Sequence, residues 1–471
     1  MLPLRKAKQA KESNGEISSS SGLFLWIRIL FLCYYGSLGS LLPYLPVYYE
    51  NLGHGGQIIG LLGAVKPATT FLVAPLWGII ADAANSPFTI LQITFLVSAV
   101  GQLMVGYSHD ARYIMTAVFW TALFNAPVKS LMDSMVLEQL GPLKDQYGRL
   151  RLWGQLGFGI GSSVVGILLS KYSQSPAEDI PYIGKQTLQV FPKFVQNIVT
   201  TLDHAWRHLT GYRLLFFVYA ALSVPTWFCM QRFRKLNQAE STRLQEESPT
   251  NKARAAPPST SVLQGLSLLL HNADALLFFF LVFAIGTSSG VIENFAYVRL
   301  REVGGTGKEM GLSRLVSSIA GAPMFWFSGR LTAALGVDRV LVMSLVSYMT
   351  RFVIYSLMRN PYQGLPAEAL RGVTFAAFWS SSTIFAHAIS PAGLHATMLM
   401  FVNAMYGGLG QSLGAIVGGR LQDRYGTVRT FGYAAVADAA LVAWVVFYLY
   451  VVRKGKSSFR DPKPIEAKNS R

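Results

Sequence analysis

The stretch YGRLRLWGQLGFGIGSSVVG, from Tyr147 to Gly166, indicates the fold class of this chain. It begins with two arginines close together and continues as an apolar segment in which glycines recur at three- to five-residue spacing, at Gly154, Gly157, Gly161 and Gly166. On a helix, this spacing leaves one face nearly bare of side chains. A second helix can then approach closely in lipid, where small residues stand in for the missing hydrophobic drive. The stretch therefore predicts a closely packed transmembrane helix.

A second copy of this design lies in the other half of the chain, in residues 407–425, GGLGQSLGAIVGGRLQDRY. With one constant offset, the four glycines and the pair Lys171 and Tyr172 align with a matching set, which is Gly407, Gly410, Gly414, Gly419, Arg424 and Tyr425. Two membrane halves that share one helix design are typical of a transporter built from repeats.

The composition supports a membrane protein. Hydrophobic residues make up 51% of the 471 residues and charged residues only 14%, which is unusual for a soluble chain of this length. The net charge is +17, but the basic residues lie mostly at the termini and between apolar runs, so the positive-inside rule explains them better than nucleic-acid binding does. Cys33 and Cys229 lie inside apolar segments and give no disulfide framework.

The apolar runs predict twelve membrane-spanning helices, because a helix of roughly 20 residues crosses a hydrocarbon core of about 30 Å. They are predicted at 24–49, 56–82, 88–108, 112–138, 150–171, 212–231, 274–299, 309–332, 338–358, 366–388, 393–422 and 428–452. The first run is too long for the apolar core of a signal peptide, so we expect it to remain as the first helix. The basic residues predict that both termini are cytoplasmic, and we expect the plasma membrane rather than an organelle membrane.

The predicted domains are a disordered cytoplasmic N-terminus at 1–21, a six-helix bundle at 22–231, a flexible cytoplasmic linker at 232–272, a second six-helix bundle at 273–452 and a basic cytoplasmic tail at 453–471. The long non-cytoplasmic loop at 172–211 contains apolar residues at helical spacing, which predict an amphipathic helix over 185–209. We expect this helix to lie on the non-cytoplasmic membrane surface or to cap the transport path. The alternative is an accessory helix that packs on the bundle.

Several motifs occur in the order found in one transporter family. They are YYGSLGSLLPYLPVYYENLG, IIGLLGAVKPATTFLVAPLWGIIAD and FNAPVKSLMDSMVLEQL followed by YGRLRLWGQLGFGIG, with FSGRLTAALG, LRGVTFAAFW and GGRLQDRYG in the second half. In these motifs the chain resembles the major facilitator superfamily, in the branch related to the lactose permease and other oligosaccharide or nucleoside proton symporters. The resemblance implies an all-α membrane protein with two pseudo-symmetric six-helix bundles around a central cavity, which works by alternating access.

The chain also departs from the pattern of that family at three places. The turn that ends at Asp82 is followed by AANSPF rather than by basic residues, and the eighth helix has no carboxylate between Gly311 and Thr332. The His and Glu pair that the branch keeps in its tenth helix falls on Arg371 and Thr374. The sugar chemistry of the lactose permease therefore does not carry over directly.

Helix 4 carries three polar residues, Asn125, Lys129 and Asp133, each four positions after the last. This spacing places them on one face, where Lys129 can pair with Asp133. The functional interpretation is a polar wall of the central cavity in which Lys129 and Asp133 bind substrate or protons. The alternative is a structural ion pair near the cytoplasmic end. Glu138 lies at the end of the span, and we assign it no role.

Three further candidates follow from the resemblance and from helix 1. Arg151 matches the arginine that contacts substrate in the lactose-permease branch, and Phe158 occupies the place where that branch stacks an aromatic ring on sugar. A guanidinium offers five fixed donors and suits bidentate binding of hydroxyls or a carboxylate. Tyr35 in helix 1 adds a hydrogen bond or ring stacking. The structural alternative is that Arg151 anchors a helix end and that Phe158 only packs.

The second half contains its own membrane-embedded charges. Glu293 is the lone carboxylate of a long apolar run, Arg351 matches a coupling arginine of the family, and Glu368 and Arg371 are three apart and can pair on one helix face. Our hypothesis is that the proton-carrying carboxylate is Asp133, Glu293 or Glu368, tuned by Arg351 or Arg371. The alternative is a set of static pairs in a uniporter.

The expected function is secondary active transport of a small polar organic solute, coupled to protons. Among such solutes we expect a sugar or a nucleoside. The alternatives are a uniporter or exporter without proton coupling, and a solute sensor that keeps the fold without transport. The sequence shows no metal-ligand spacing, phosphate loop or nucleophile elbow, so we expect neither an enzyme nor a cofactor. The expected partners are the solute, protons and the lipid bilayer, and we expect a monomer.

Overall fold

The computed structural model describes residues 24–83, 87–140, 147–172, 211–247, 272–390 and 395–452. Within these ranges the regular structure is entirely helical, in agreement with the expected fold class. Several expectations lie outside the described residues: the disordered N-terminus at 1–21, the amphipathic helix at 185–209, the part of the flexible linker at 248–271 and the basic tail at 453–471.

The first half of the chain forms helices α1 to α6. A short 3₁₀ turn at Leu42–Tyr44 lies inside α1, where Pro43 and Pro46 each remove a backbone donor. α6 continues into the segment from 232 that was expected to be a flexible linker. The bounds are Phe24–Asn51 for α1, Gly56–Ala83 for α2, Pro87–Met104 for α3, Ala111–Leu140 for α4, Tyr147–Tyr172 for α5 and Arg213–Glu247 for α6.

The second half begins with three regular helices, α7 to α9. The Asn272 side chain caps α7 by accepting from the backbone of Asp274 and Ala275, and Thr306 forms a capping box with Glu309 at the start of α8. The bounds are Ala273–Glu302 for α7, Gly307–Leu335 for α8 and Val337–Leu357 for α9.

The last part of the chain is helical but irregular. α10 consists of Leu365–Ala369, a π turn at Gly372–Ala377 and Phe378–Ile389. A second π turn at Ala404–Gly410 separates His395–Asn403 from the long helix Gln411–Val446. Gly426 breaks that helix with φ 77° and ψ 165°, a conformation that suits glycine. We therefore name residues 395–425 α11 and residues 427–452 α12.

The glycines of the repeated design pack as the repeat predicts. Gly157 and Gly161 of α5 face α1, and a Cβ on Gly157 would lie 2.9 Å from the Cα of Leu32. Gly410 and Gly414 of α11 face α7 in the same way, and a Cβ on Gly414 would lie 2.9 Å from the carbonyl carbon of Thr287. α5 and α11 are thus equivalent elements of two similar halves.

The two halves meet chiefly where α5 packs on α8 and α2 packs on α11. Gly166 lies against Gly307, and Gly419 lies against Gly56. Near these glycines the Arg301 guanidinium of α7 contacts the Glu50 carboxylate of α1 at 3.4 Å. Helix ends from both halves therefore come together on one side of the molecule, which we call the closed end.

The opposite side, which we call the open end, contains the end of α4 at Leu140 and the end of α10 at Ile389. Within the part of the chain that the structure describes, neither α4 nor α10 packs extensively on the other half. α5 and α8 stay in contact here, since the Arg149 guanidinium lies 5.6 Å from the ring centroid of Trp326. The space between the halves is therefore bounded at its sides and opens between α4 and α10.

Seven stretches of the described residues are long and apolar enough to cross a membrane by length and composition. α3 is apolar but shorter, and α4, α8 and α10 are not among the seven. The number of twelve crossings therefore stays a prediction.

Candidate functional site

A first charge cluster joins α4 and α5. The Asp133 carboxylate accepts from the Arg151 guanidinium at 3.2 Å, and the same guanidinium lies 4.4 Å from the ring centroid of Tyr35 and 5.5 Å from that of Phe31. The predicted pair of Lys129 with Asp133 is therefore replaced by a pair between neighbouring helices. Lys129 is exposed and lies within electrostatic range of Asp133 and Arg151.

Two other predicted residues lie on α1 and α4. The Tyr35 hydroxyl is buried beside the Arg151 guanidinium and donates to no described residue. Asn125 lies on α4, half-buried and outside the ion pair. Tyr35 thus presents a buried donor that a bound solute can use, whereas Asn125 remains a predicted contact.

A second charge cluster joins α7, α8 and α10. The Glu293 carboxylate accepts from Arg314 at 3.0 Å and also from Arg371. The prediction that Glu368 pairs with Arg371 is wrong, because Glu368 instead contacts Arg351 of α9 at 2.8 Å. The physical reason is local: the regular helix ends at Ala369 and resumes through a π turn, so the two side chains point to different neighbouring helices.

The pair of Arg351 and Glu368 is deeply buried, with side chains only 1% and 5% exposed. The Tyr355 hydroxyl donates to the Glu368 carboxylate, and Arg351 also donates to Thr374 at 3.2 Å. This carboxylate is therefore enclosed by fixed donors, as the static-pair alternative describes.

Arg314 is a site residue that the sequence interpretation missed. The signal for it in the sequence is the single cation in GLSRLVSSIAGA, a segment without a carboxylate. Its guanidinium lies 5.2 Å from the ring centroid of Phe158 and 5.8 Å from that of Tyr297. Phe158 therefore does contact the site, through Arg314.

Asp438 of α12 is a second buried charged residue that the sequence interpretation does not single out. It is 6% exposed and accepts a hydrogen bond from the Ser288 hydroxyl of α7 at 2.9 Å. Nothing places it beside the two clusters, so we assign it to the contact between α7 and α12.

The two clusters lie at different depths. Arg151 and Phe158 are both on α5, seven residues apart, which corresponds to about 10 Å along a helix. The side chains of Asp133 and Glu293 are 21% and 31% exposed. Charged groups inside membrane helices normally face a partner or a water-filled cavity, and these groups have partners and are partly exposed. The clusters therefore mark two levels of one polar space between the halves.

The chemistry of this space is set by guanidinium groups and aromatic rings. Among the described residues, no three His, Cys, Asp or Glu side chains lie together in a way that could hold a metal ion. Guanidinium groups bind hydroxyls, carboxylates and phosphates through several hydrogen bonds at once, and the rings of Tyr35 and Phe158 add apolar contact. The arrangement suits an organic solute.

Comparison with known families decides the class of the protein. A family model described as the MFS_1 like family matches residues 24–433. The chain belongs to this family. As a member of the major facilitator superfamily, it is an integral, multi-pass membrane protein that belongs to a family of secondary transporters.

Curated relatives of this family member are distant. The maltose permease of Geobacillus stearothermophilus is 23% identical over 84% of this chain and 86% of the permease. A major facilitator superfamily domain-containing protein 6-like protein B of Xenopus laevis is 20% identical over 72% of this chain, which spans only 47% of the frog protein. A probable 3-phenylpropionic acid transporter of Escherichia coli is 25% identical over 31% of this chain and 39% of that protein.

A solved structure of a single-site variant of the nucleoside transporter NupG resembles this MFS_1 like chain with a TM-score of 0.70. The match covers 90% of this chain and 99% of that chain at 18% identity, so it shows the fold alone. The family model and this likeness confirm the coarse fold class that the resemblance implies, an all-helical membrane protein with the major facilitator fold.

Proposed function

We propose that the protein carries a small polar organic solute across a membrane by alternating access, with twelve crossing helices in two six-helix bundles. The observation that carries this proposal is the pair of charge clusters between the halves. The molecule is closed on one side of these clusters and open on the other. Alternating access requires a site that each side reaches in turn. Separation at the closed end, with closure between α4 and α10, would transfer access from one side to the other.

Lys129, Asp133, Arg151, Tyr35, Phe158 and Asn125 are the proposed solute contacts. Arg151 and Tyr35 support this role best, because the guanidinium lies on the ring and the buried Tyr35 hydroxyl donates to no described residue. The permease and nucleoside transporter among the similar proteins make sugars and nucleosides the first neutral solutes to test.

Glu293 is the proposed proton-coupling carboxylate. It is partly exposed and contacts Arg314 of α8 and Arg371 of α10 from α7, so its charge holds three helices together. A proton on Glu293 removes that charge and weakens both contacts at once. Glu368 is enclosed by Arg351 and Tyr355, which favours a structural role for that carboxylate.

We further propose that the open end faces the cytoplasm, in agreement with the positive-inside rule. Arg149 lies on that side, at the start of α5, as does the predicted basic linker. Both termini would then be cytoplasmic, and the plasma membrane and a monomeric state remain our expectation.

The test is proton flux in proteoliposomes that hold the purified full chain and an internal pH dye, while maltose, uridine and 3-phenylpropionate are added outside in turn. We expect proton entry with one solute class, and we expect Glu293→Gln to abolish proton-driven accumulation. Glu368→Gln and Asp133→Asn are measured beside it. If all three variants keep proton-driven accumulation, proton coupling at these carboxylates is wrong and a uniporter is favoured. Solute binding without any flux favours a sensor.

A further inference from the structure

Both charge clusters contain one carboxylate and two cations. Asp133 has Arg151 in contact and Lys129 within electrostatic range. Glu293 has Arg314 and Arg371 in contact. Each cluster therefore keeps one positive charge without a matching negative charge. A low-dielectric space lined by one sign of charge concentrates ligands of the opposite sign.

The neighbouring groups do not cancel this excess. Arg351 and Glu368 form a balanced pair of their own. Asp438 contacts Ser288 on the α12 side, and Glu50 contacts Arg301 at the closed end. Among the side chains that the structure describes, none of these carboxylates pairs with Lys129, Arg314 or Arg371.

Unused hydrogen-bond donors lie beside the second cluster. Arg314 is 6% exposed, and its Nε atom has no partner among the described residues. The hydroxyls of Ser317 and Ser318 are also buried without a partner. Residues three and four positions apart share a face of a helix, so these donors lie together on α8. Buried donors without an acceptor are unfavourable, and an acceptor from a solute would satisfy them.

Aromatic rings surround the same guanidinium groups. Arg314 lies over Phe158 and Tyr297, and Arg371 lies 5.9 Å from the ring centroid of Phe375. A solute that reaches the guanidinium groups thus has aromatic rings beside it.

We infer that the transported solute is an organic carboxylate with an apolar or aromatic body, and that its carboxylate binds Arg371 and Arg314 beside Glu293. This inference rests on the proposed transport function and refines it, since it replaces a neutral sugar or nucleoside by an acid. The guanidinium groups supply the paired donors that a carboxylate accepts, and the excess positive charge supplies the preference over a neutral molecule.

The test compares an acid with its own amide. Calorimetric titration of the purified full chain in detergent with 3-phenylpropionate and with 3-phenylpropionamide keeps the body constant and removes only the charge. We expect the acid to bind at least about tenfold more tightly, as one charge-assisted contact supports. Arg371→Gln should weaken acid binding by about tenfold and should weaken amide binding less, because the neutral amide loses a hydrogen bond but no charge pairing. Arg339→Gln, an exposed arginine at the start of α9, is the matched control and should change neither.

Glu293→Gln separates a binding role from a merely structural one. Removal of the competing carboxylate frees both guanidinium groups, so the acid should bind more tightly than to the parent protein. A loss of acid binding in this variant, with the fold intact by thermal unfolding, overturns the inference. Equal affinity for acid and amide, binding of only neutral uridine or maltose, or no binding at all also overturns it. The transport proposal fails separately, when proteoliposomes show no flux with any acid or neutral solute.

Discussion

Arg351 and Glu368 form an ion pair that is removed from water almost completely, with 1% and 5% of their side chains exposed. Burial of two charges is costly, and their attraction offsets that cost only while both partners are present. Tyr355 and Thr374 supply the remaining hydrogen bonds. The pair therefore fixes how α9 and α10 pack, and its loss is expected to affect stability before it affects the solute.

Glu368→Gln should lower the free energy of unfolding by about 3 to 5 kcal/mol, because it leaves the Arg351 charge buried without a counter-charge. Arg301→Gln is the control, since its pair with Glu50 is 38% and 29% exposed and such pairs contribute about 1 kcal/mol or less. The measurement is unfolding of both variants in the same detergent. Equal losses in the two variants would contradict the role of burial.

The sequence did not determine which arginine pairs with each carboxylate of the site. Helical spacing shows which charges share a face of one helix, and Asp133, Glu293 and Glu368 do lie on helices. Every one of these carboxylates takes its arginine from another helix. A long guanidinium side chain reaches across a helix contact, and the identity of the facing helix depends on tertiary packing. Arg314 was missed for the same reason, because its importance comes from facing Glu293.

At the scale of elements, helix contacts depend on glycines that admit a neighbouring backbone. A Cβ on Gly161 would lie 2.9 Å from the carbonyl carbon of Gly36 in α1, whereas a Cβ on Gly407 would have no atom within 4 Å. The two glycines that follow the same repeated design thus differ in what surrounds them. The close contact of α1 with α5 therefore leaves no room for a side chain at Gly161.

Gly161→Ala should destabilise the protein by about 1 to 3 kcal/mol, because the added methyl group forces α1 and α5 apart. Gly407→Ala adds the same group where there is room, and it should be neutral or slightly stabilising, since alanine is the better helix former. Thermal unfolding midpoints of the two purified variants check this. A Gly407→Ala midpoint as low as that of Gly161→Ala would show that the close backbone contact does not determine the effect of the added methyl group on stability.

The helices themselves were largely predictable, because apolar runs report where the hydrocarbon lies. α2, α5 and α9 begin and end within a few residues of the predicted bounds. α6 differs, since it continues to Glu247 beyond a predicted end at 231. Hydropathy marks the edge of the membrane, and a helix of polar residues can continue past that edge into water. The predicted flexible linker was therefore partly a helix.

For the whole molecule, the closed end is held, among the described residues, by close backbone contacts and by the half-buried ion pair of Arg301 and Glu50. The Ser163 hydroxyl of α5 donates to the backbone carbonyl of Gly311 in α8 at 3.0 Å, and Arg301 joins α7 to Glu50 of α1. The balance between open and closed arrangements is thus sensitive to a few weak links at this end.

Arg301→Ala should expose a cysteine placed at position 163 to a membrane-impermeant thiol reagent added on the closed side. The reason is that Arg301 is a direct polar link between the halves there, so its loss favours molecules with this end open. Labelling of Ser163→Cys is compared with and without Arg301→Ala, and Arg339→Ala at the start of α9 is the control. Unchanged labelling would show that the glycine contacts alone keep this end closed.

The repeated glycine helix has an evolutionary consequence. By the offset that aligns Gly154 with Gly407, Arg151 corresponds to Ala404 and Asp133 corresponds to Ala386. The backbone contacts of α5 and α11 are shared between the halves, but the charges are not. A gene duplication that preserved the helix contacts while each copy acquired its own ionic groups accounts for this pattern. The helix contacts are then the older feature of the protein, and the charged groups that interact with the solute are the later one.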